Sequence, residues 1–592
     1  MISRRGFLAA AIAIARLKAH APVMEDGARG FSRASGIEIE RDYDGVFCRL
    51  RIVNRGNTPV RLNDIVVLDQ PIVFPATEVA IYGEGFQMLS QTGGTMAAPV
   101  DYSQYTDAKH YRIPVADGGP SYYGLLTLTP FSGRTHVYAF TSCARFSGRF
   151  QIRESAVQAI VDGEGLTIAP GSSWPLEELM VASGSDRSAL LNQMADRLAK
   201  NHIAAPKRPH LAPAATPPTG WCSWYCFGPS VTAQQVLDNL DVIAKSFPSL
   251  KYIQIDDGYQ PAMGDWLETG TAFGGSVRTV LAEIRRRGFQ PAIWVAPFIA
   301  EERSHLFQQH PDWFIKDDRG NPLRSDRVTF GGWRRGPWYA IDGTHPGAQA
   351  HLQRVFRTMR RQWGCTYFKL DANFWGAMHG GRFNDRRATR IDAYRRGMRA
   401  IGRGAGDGFL LGCNHPIWPS IGVIHGSRSS NDIKRSWDRI ASTARQNLSR
   451  NWQNGRLWWN DPDAVVLAAE LTDAECQFHA TAIYATGGMV LSGDDLTKIP
   501  DARAAMLRKL LPPTGIAAEF TDATLTVGVV NMPDARMMCL FNWDDRADTV
   551  TFDVPHTSMI TDYWTDQSLG RRQGTVAIVL PPRSARLLKL VA

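Results

Sequence analysis

From Gly220 onward the chain repeats one pattern: a short apolar run, a polar turn, then a longer amphipathic stretch. The runs are Gly220–Tyr225, Tyr252–Asp256, Gln290–Phe298, Tyr367–Asn373, Phe409–His415, Val423–Arg428, Arg456–Asn460 and Met489–Ser492. Between them Thr232–Ser246, Ser276–Arg287, Ala348–Trp363 and Ala388–Arg403 carry apolar residues at helical spacing. Short runs without alternation suit strands buried on both faces, and strands that alternate with helices build parallel sheets. Eight such runs predict an eightfold β/α barrel of the TIM type, with less clearly marked helices between the later strands.

The flanks have a different period. From about Pro22 to Ser185 the chain alternates and turns often, as in Gly45–Val53 and Tyr123–Leu128, which predicts a large antiparallel β-sandwich. A helix over Arg187–Lys200 leads into the Pro/Ala-rich stretch Ala204–Pro218, read as a linker. After about Asp501 a last helix gives way to strands such as Met537–Asn542 and Thr575–Leu580, a small antiparallel β domain. The expected fold is therefore a multidomain α/β chain. Its parts are an N-terminal sandwich over 22–200, a linker over 201–218, the barrel over 219–500 and a C-terminal β domain over 501–592.

The first residues read as an address. Ser3-Arg4-Arg5-Gly6-Phe7-Leu8 is a twin-arginine pattern, Leu8–Ala15 is apolar, and Ala19-His20-Ala21 is a small-x-small cleavage site. Residues 1–21 are thus expected to be a signal peptide engaging the twin-arginine export machinery, with the protein ending in the periplasm or secreted. The apolar run is too short to span a bilayer, and no other membrane segment is expected. The formal charge is +9, but Arg4, Arg5, Arg16 and Lys18 lie within that leader, and basic runs elsewhere are short, such as Arg285-Arg286-Arg287. Nucleic acid is therefore not an expected partner. The 17 tryptophans suit a sugar-binding protein, whose indole faces stack on sugar rings, and equally suit a large aromatic core. The eight cysteines are scattered, mostly within apolar runs, and read as packing. No metal site and no cofactor is expected.

The chemistry is suggested by acids at run ends. Lys369 and Asp371 are two apart and share a strand face, and Asp432 closes Ser427-Arg428-Ser429-Ser430-Asn431-Asp432 after a later run. Two acids hung from different strands of a barrel rim are what glycosidic bond cleavage requires. Each feature also has a structural reading. Asp256-Asp257-Gly258 suits a capped turn, Lys369 with Asp371 an ion pair, Asp432 a helix N-cap, and Asp461-Pro462-Asp463 a structural loop that starts a helix.

Five motifs in barrel order then resemble one family. Gly220-Trp221-Cys222-Ser223-Trp224-Tyr225, Ile255-Asp256-Asp257-Gly258-Tyr259-Gln260, Lys369-Leu370-Asp371, Arg428-x-Ser430-x-Asp432 and Trp459-Asn460-Asp461-Pro462-Asp463 resemble glycoside hydrolase family 36. That family contains α-galactosidases (melibiases), with family 27 and the raffinose synthases as relatives. Tyr82–Gln87 and Leu580–Arg586 extend the likeness to both flanking regions. The resemblance implies that Asp371 is the nucleophile and Asp432 the general acid/base. It implies that Asp256, Asp257 and Lys369 bind sugar hydroxyls including an axial 4-OH, that Trp224 walls the pocket, and that Arg428 reaches the sugar or the acid/base. It also places Trp294, Asn414 and His415 in substrate binding, His415 either as a hydroxyl donor or as a satisfied structural histidine. The run Cys413-Asn414-His415-Pro416 departs from the family's usual loop there, which senses the sugar's C2 substituent. The insert Lys316–Arg335 is expected to shape the aglycone side.

The expected function is that of a retaining α-galactosidase. The alternatives are another α-glycosidase of the clan, such as an α-N-acetylgalactosaminidase or a raffinose-synthase-like transglycosidase, and outside enzymes a non-catalytic glycan-binding protein. The leader reading predicts that replacing Arg4 and Arg5 together by Lys leaves the uncleaved precursor in the cytoplasm, checked by fractionation and immunoblotting; normal periplasmic yield would refute the address.

Overall fold

A computed structural model describes residues 24–25, 31–32, 36–115, 119–153, 156–203, 215–468, 470–520 and 523–592. The expected leader over 1–21 and the linker stretch 204–214 lie outside the described residues.

The middle of the chain is a parallel eight-stranded barrel. Strands one to eight are Thr219–Cys222, Tyr252–Ile255, Gln290–Val295, Tyr367–Leu370, Phe409–Gly412, Gly426–Arg428, Trp459–Asp461 and Val490–Ser492. Pairing runs without a break from strand seven down to strand one and on to strand eight. The remaining seam, between seven and eight, is crossed where the Met489 N–H donates to the Asn460 carbonyl at 2.8 Å. All eight expected runs form strands shorter than their apolar stretches: runs one to five lose their last residues to the rim loops, and runs six to eight lose their first residues instead. The first run is the clearest case. It stops at Cys222, and Trp224–Phe227 turns as a short helix.

Helices follow most strands: Ala233–Ser246, Val277–Arg286, Pro346–Arg361, Arg390–Ala405, Trp437–Ser449 and Asp473–Thr486. The first begins in a capping box, where Thr232 Oγ1 accepts from the Gln235 N–H and Gln235 Oε1 accepts from the Thr232 N–H. Thr472 and Glu475 repeat the device at the last. After strand five there is only a four-residue turn, Ile417–Ser420. Pro419 cannot continue a helix, and Trp418 instead reaches the sandwich, where its Nε1 donates to the Phe140 carbonyl at 2.7 Å. Gly124, at φ +76°, permits this contact, because a Cβ there would sit 2.1 Å from the Trp418 ring.

The N-terminal region is a sandwich of two antiparallel sheets, of six and nine strands. Ile37, Leu50, Ile52, Ile81 and Leu126 from one sheet and Leu62, Ile65, Phe150, Val157 and Ala159 from the other form its core. The helix Arg187–His202 joins it to the barrel. The C-terminal region is a six-stranded antiparallel sheet with its own core around Met538, Leu540, Phe552, Leu580 and Leu588. The eight cysteines are all unpaired, and seven are buried. No helix among the described residues is long and apolar enough to cross a membrane.

One buried ion pair locks sandwich to barrel. Glu84, from the Tyr82–Gln87 motif, meets Arg450, just past the barrel helix Trp437–Ser449, at 2.6 Å, both essentially without exposure. Arg450 Nη1 also donates to the Met88 carbonyl at 2.6 Å and to the Ser429 carbonyl at 2.9 Å, and the Tyr82 hydroxyl donates to Glu84 at 2.6 Å. Removing one partner strands the other charge in a dry interface. Arg450→Met is therefore expected to cost about 3–5 kcal/mol of stability, measured by chemical denaturation. Adding Glu84→Leu to the same protein should return much of that loss.

Candidate active site

The site is built from carboxyl ends of the barrel strands. Asp371 follows strand four directly. Its Oδ1 accepts from the Ala372 N–H at 2.7 Å and from Asn414 Nδ2 at 2.8 Å, and its Oδ2 accepts from Trp294 Nε1 at 3.0 Å. Trp294, on strand three, is buried and lies edge-on to Trp266 at 5.8 Å. Asn414, at φ +42°, carries its amide over from the end of strand five, in a conformation Asn tolerates better than most residues. Three donors thus aim one carboxylate into the barrel mouth.

Lys369 does not pair with Asp371, as sharing its strand face suggested. Its ammonium meets Asp256 at 2.9 Å, at the end of strand two. Asp256 also accepts from Gln254 Nε2 at 2.6 Å, and the Asp257 N–H donates to it at 2.9 Å. Burial opposes charge on Lys369, but Asp256 outweighs it and raises the ammonium well above its usual range. The physical reason for the different partner is the barrel's curvature. An inward side chain on strand four faces across the lumen toward strand two, while Asp371 has already left the strand.

Asp257 points elsewhere. Arg334 grips it with two nitrogens, and Gln260 Nε2 donates to it at 2.7 Å. Burial nonetheless pushes its carboxyl up, against the pull of Arg334. Arg334 belongs to the insert Lys316–Arg335, so that segment reaches the strand-two acids as well as the outer side. Its neighbour Trp333 is 40% exposed and packs edge-on against Trp338 at 4.6 Å.

Asp432 lies four residues past Arg428, the last residue of strand six. Arg428 Nη2 donates to its Oδ1 at 2.7 Å. The same nitrogen lies 2.9 Å from Asp463 Oδ2. Arg428 is 1% exposed at its side chain, whereas Asp432 opens to the pocket at 54%. Burial pushes the Asp432 carboxyl up, but Arg428, with Lys369 and Arg439, outweighs it and holds Asp432 below the usual aspartate range. The elevated carboxyl expected of an acid is found instead at Asp463. Burial raises it to about 6, opposed by Arg428 and reinforced by the charges of Asp432 and Asp461. The segment Asp461-Pro462-Asp463, expected to be only a structural loop, therefore enters the site.

Trp224 sits on the turn after strand one, partly exposed at the mouth. His415 does not reach the pocket. It is fully buried, Nε2 is bonded to Ser427 Oγ at 2.9 Å and Nδ1 to Ser420 Oγ at 3.0 Å, and burial pushes its pKa down to about 3. With both ring nitrogens engaged it has no donor left for a sugar, which corrects the donor reading in favour of the structural one.

Four contributors were not read from the sequence: Arg334, Tyr225, Asp463 and Tyr111. Tyr111 comes from the sandwich region, is buried, and lies 4.5 Å from the Phe374 ring. Burial and the charge of Asp371 raise its phenol well above the usual range. Tyr225 and Asp463 stood inside motifs quoted above, and Asp463 was also an acid at a strand end. Among the described residues one trio could hold a metal ion, Asp265, Glu268 and His305, two of them exposed. It belongs to the loops after strands two and three and includes none of the site residues above.

Residues 252–389 match the family model described as Melibiase. A bifunctional α-galactosidase/sucrose kinase of Mediterraneibacter gnavus is 26% identical over 167 residues, which is 27% of this chain and 17% of that protein. The chain thus spans well under a third of the length of such curated relatives. Among solved structures, the α-galactosidase TtGalA of Thermus thermophilus superposes with a TM-score of 0.63 at 23% identity, over 86% of this chain and 97% of that one. The family 36 α-galactosidase AgaA of Geobacillus stearothermophilus gives 0.64 at 14% identity, over 94% of this chain and 81% of that one. At these identities the structural likeness establishes the fold. The family resemblance drawn from the five motifs is borne out.

Proposed function

We propose that this chain, whose barrel carries a Melibiase-family segment, is a retaining α-galactosidase that removes terminal α-galactosyl residues from oligosaccharides or glycans. The observation that carries the reading is the pair of carboxyl groups on one rim with opposite surroundings. Asp371 is held in place by neutral donors, Trp294 and Asn414, and has no cation in direct contact among the described residues. Asp432 is half open to the pocket and touches a guanidinium. The relatives named above are α-galactosidases or contain one, which supports the sugar assigned.

In this reading Asp371 attacks the anomeric carbon as Asp432 gives its proton to the departing glycosidic oxygen. A glycosyl ester forms on Asp371. Asp432, now a carboxylate, takes a proton from water, and that water opens the ester with retained configuration. Trp294 and Asn414 act by fixing the attacking oxygen, since a nucleophile works best already near its attack distance. The buried Lys369–Asp256 pair and the Arg334–Asp257 pair line the strand-two side, where they are suited to grip hydroxyl groups. A hydrogen bond to such a charged group is worth roughly 1.5–3 kcal/mol, so α-galactosides are expected to be cleaved well ahead of α-glucosides. Faster turnover of an α-N-acetylgalactosaminide, or transfer to a sugar acceptor in place of water, would move the assignment to one of the alternatives within the clan. Export by the twin-arginine route remains part of the proposal.

Two variants test the roles. Asp371→Asn is expected to lower kcat by several powers of ten while substrate still binds, and a 2-deoxy-2-fluoro or cyclophellitol-type reagent of galactose configuration should label the peptide containing Asp371. Labelling elsewhere, or a β-anomer as first product in proton NMR, would remove Asp371 from the role. Asp432→Ala is expected to lose roughly 10²–10⁴-fold on substrates with poor leaving groups and far less on activated aryl galactosides, with azide restoring turnover as a glycosyl azide of retained configuration. Equal losses on both substrate types would contradict the acid/base role.

A further inference from the structure

We propose that Asp463 is a positioning residue for the acid/base: by sharing Arg428 with Asp432, it limits how strongly that guanidinium holds the Asp432 carboxyl in its charged form. The inference rests on the role read for Asp432 above.

The contacts are specific. Asp463 Oδ2 accepts from the Tyr225 hydroxyl at 2.5 Å and from the Ile433 N–H at 2.7 Å, and it lies 2.9 Å from Arg428 Nη2. Ile433 directly follows Asp432, so Asp463 holds the backbone beside the acid/base as well as its cation. The Tyr225 hydroxyl lies between the two carboxyls, 3.5 Å from Asp432 Oδ1. Asp463 is 4% exposed and adopts φ +77°, a left-handed conformation that a β-carbon disfavours. Such positions persist where surrounding contacts over-determine them, and they gather at functional sites.

The charges explain why a carboxylate stands there. Asp463 faces Arg428 of strand six, Asp432, Asp461 of strand seven and Tyr225 of the strand-one turn; Lys369 of strand four and Arg439 add cations that act on Asp432. A loop that needed only hydrogen bonds would be served by Asn, without placing a third anion beside Asp432 and Asp461. With Arg428 facing Asp432 alone, the full guanidinium charge would fix Asp432 as a carboxylate and deprive it of its acid form. Asp463 divides that charge. The two carboxyls then titrate as a unit: burial first, and the charges of Asp432 and Asp461 after it, raise Asp463 to about 6 against Arg428.

The sign of the test follows. The acid must be protonated, so activity is lost as pH rises through its pKa. Asp463→Asn removes a like charge from Asp432 and returns Arg428 to it, and both effects lower that pKa. On an unactivated galactosyl disaccharide, the alkaline limb of kcat/KM is expected to move to lower pH, with roughly a tenfold loss at neutral pH. An activated aryl galactoside, which needs little protonation, is expected to lose much less. Tyr225→Phe removes the hydroxyl that favours the Asp463 charge and should shift the limb the same way, to a smaller extent. If Asp463→Asn lowers all rates equally with an unmoved profile, the residue is structural and the inference fails. If Asp463→Asn does not fold, an unmoved profile in Tyr225→Phe overturns the inference equally. Asp432→Ala separates this failure from that of the underlying reading: full activity of that variant on the disaccharide removes both, while its inactivation beside an unmoved Asp463→Asn profile removes only the inference.

Discussion

Closing eight short parallel strands into a barrel brings all their carboxyl ends to one rim, and every functional side chain here depends on that constraint. Strand seven pairs through to strand one, strand one to strand eight, and the seam is stitched at Met489 and Asn460. No strand edge is then left to satisfy along most of the sheet, so strands of three to six residues suffice. Short strands have a consequence for the site. Asp371, Asp256 and Asp432 all lie just past their last paired residues, where the backbone is free to turn inward and neighbouring loops can supply donors.

The mouth of the barrel is an acid-rich cluster held by few cations. Asp256, Asp257, Asp371, Asp432, Asp461 and Asp463 are balanced by Lys369, Arg334 and Arg428 close by. In a low dielectric an unequal balance of this kind forces some carboxyls toward the neutral form. Burial acts first, and contact with a cation opposes it. Asp463 is buried and shares its guanidinium with Asp432, and it rises to about 6.

The sandwich is part of the site's support. Arg450 ties Glu84 to the carbonyl of Ser429, inside the loop that presents Asp432, and Tyr111 packs beside Phe374, just beyond Asp371. Trp418 takes the place of a full helix after strand five because its ring docks on the sandwich over Gly124. An all-barrel view of the chain would leave these contacts unexplained.

The barrel, its strand order and the acids at the run ends were legible in the sequence, because strand burial and helix amphipathicity write their periods into neighbouring residues. Lys369, Asp371 and Asp432 were read from such runs, Asp256 and Arg428 were assigned by the family resemblance, and all five lie on one rim. The partnerships were not legible. Lys369 was read with Asp371, two positions away, and pairs with Asp256, 113 positions away. His415 lies in the right loop but turns its ring into Ser420 and Ser427. Arg334 reaches Asp257 across 77 positions and Tyr225 reaches Asp463 across 238. Local pattern reports which face a residue takes on its own element. Which charge sits against which depends on how the elements curve and cross in space, and at hydrogen-bond distances an ångström of that curvature decides whether a carboxyl holds its proton.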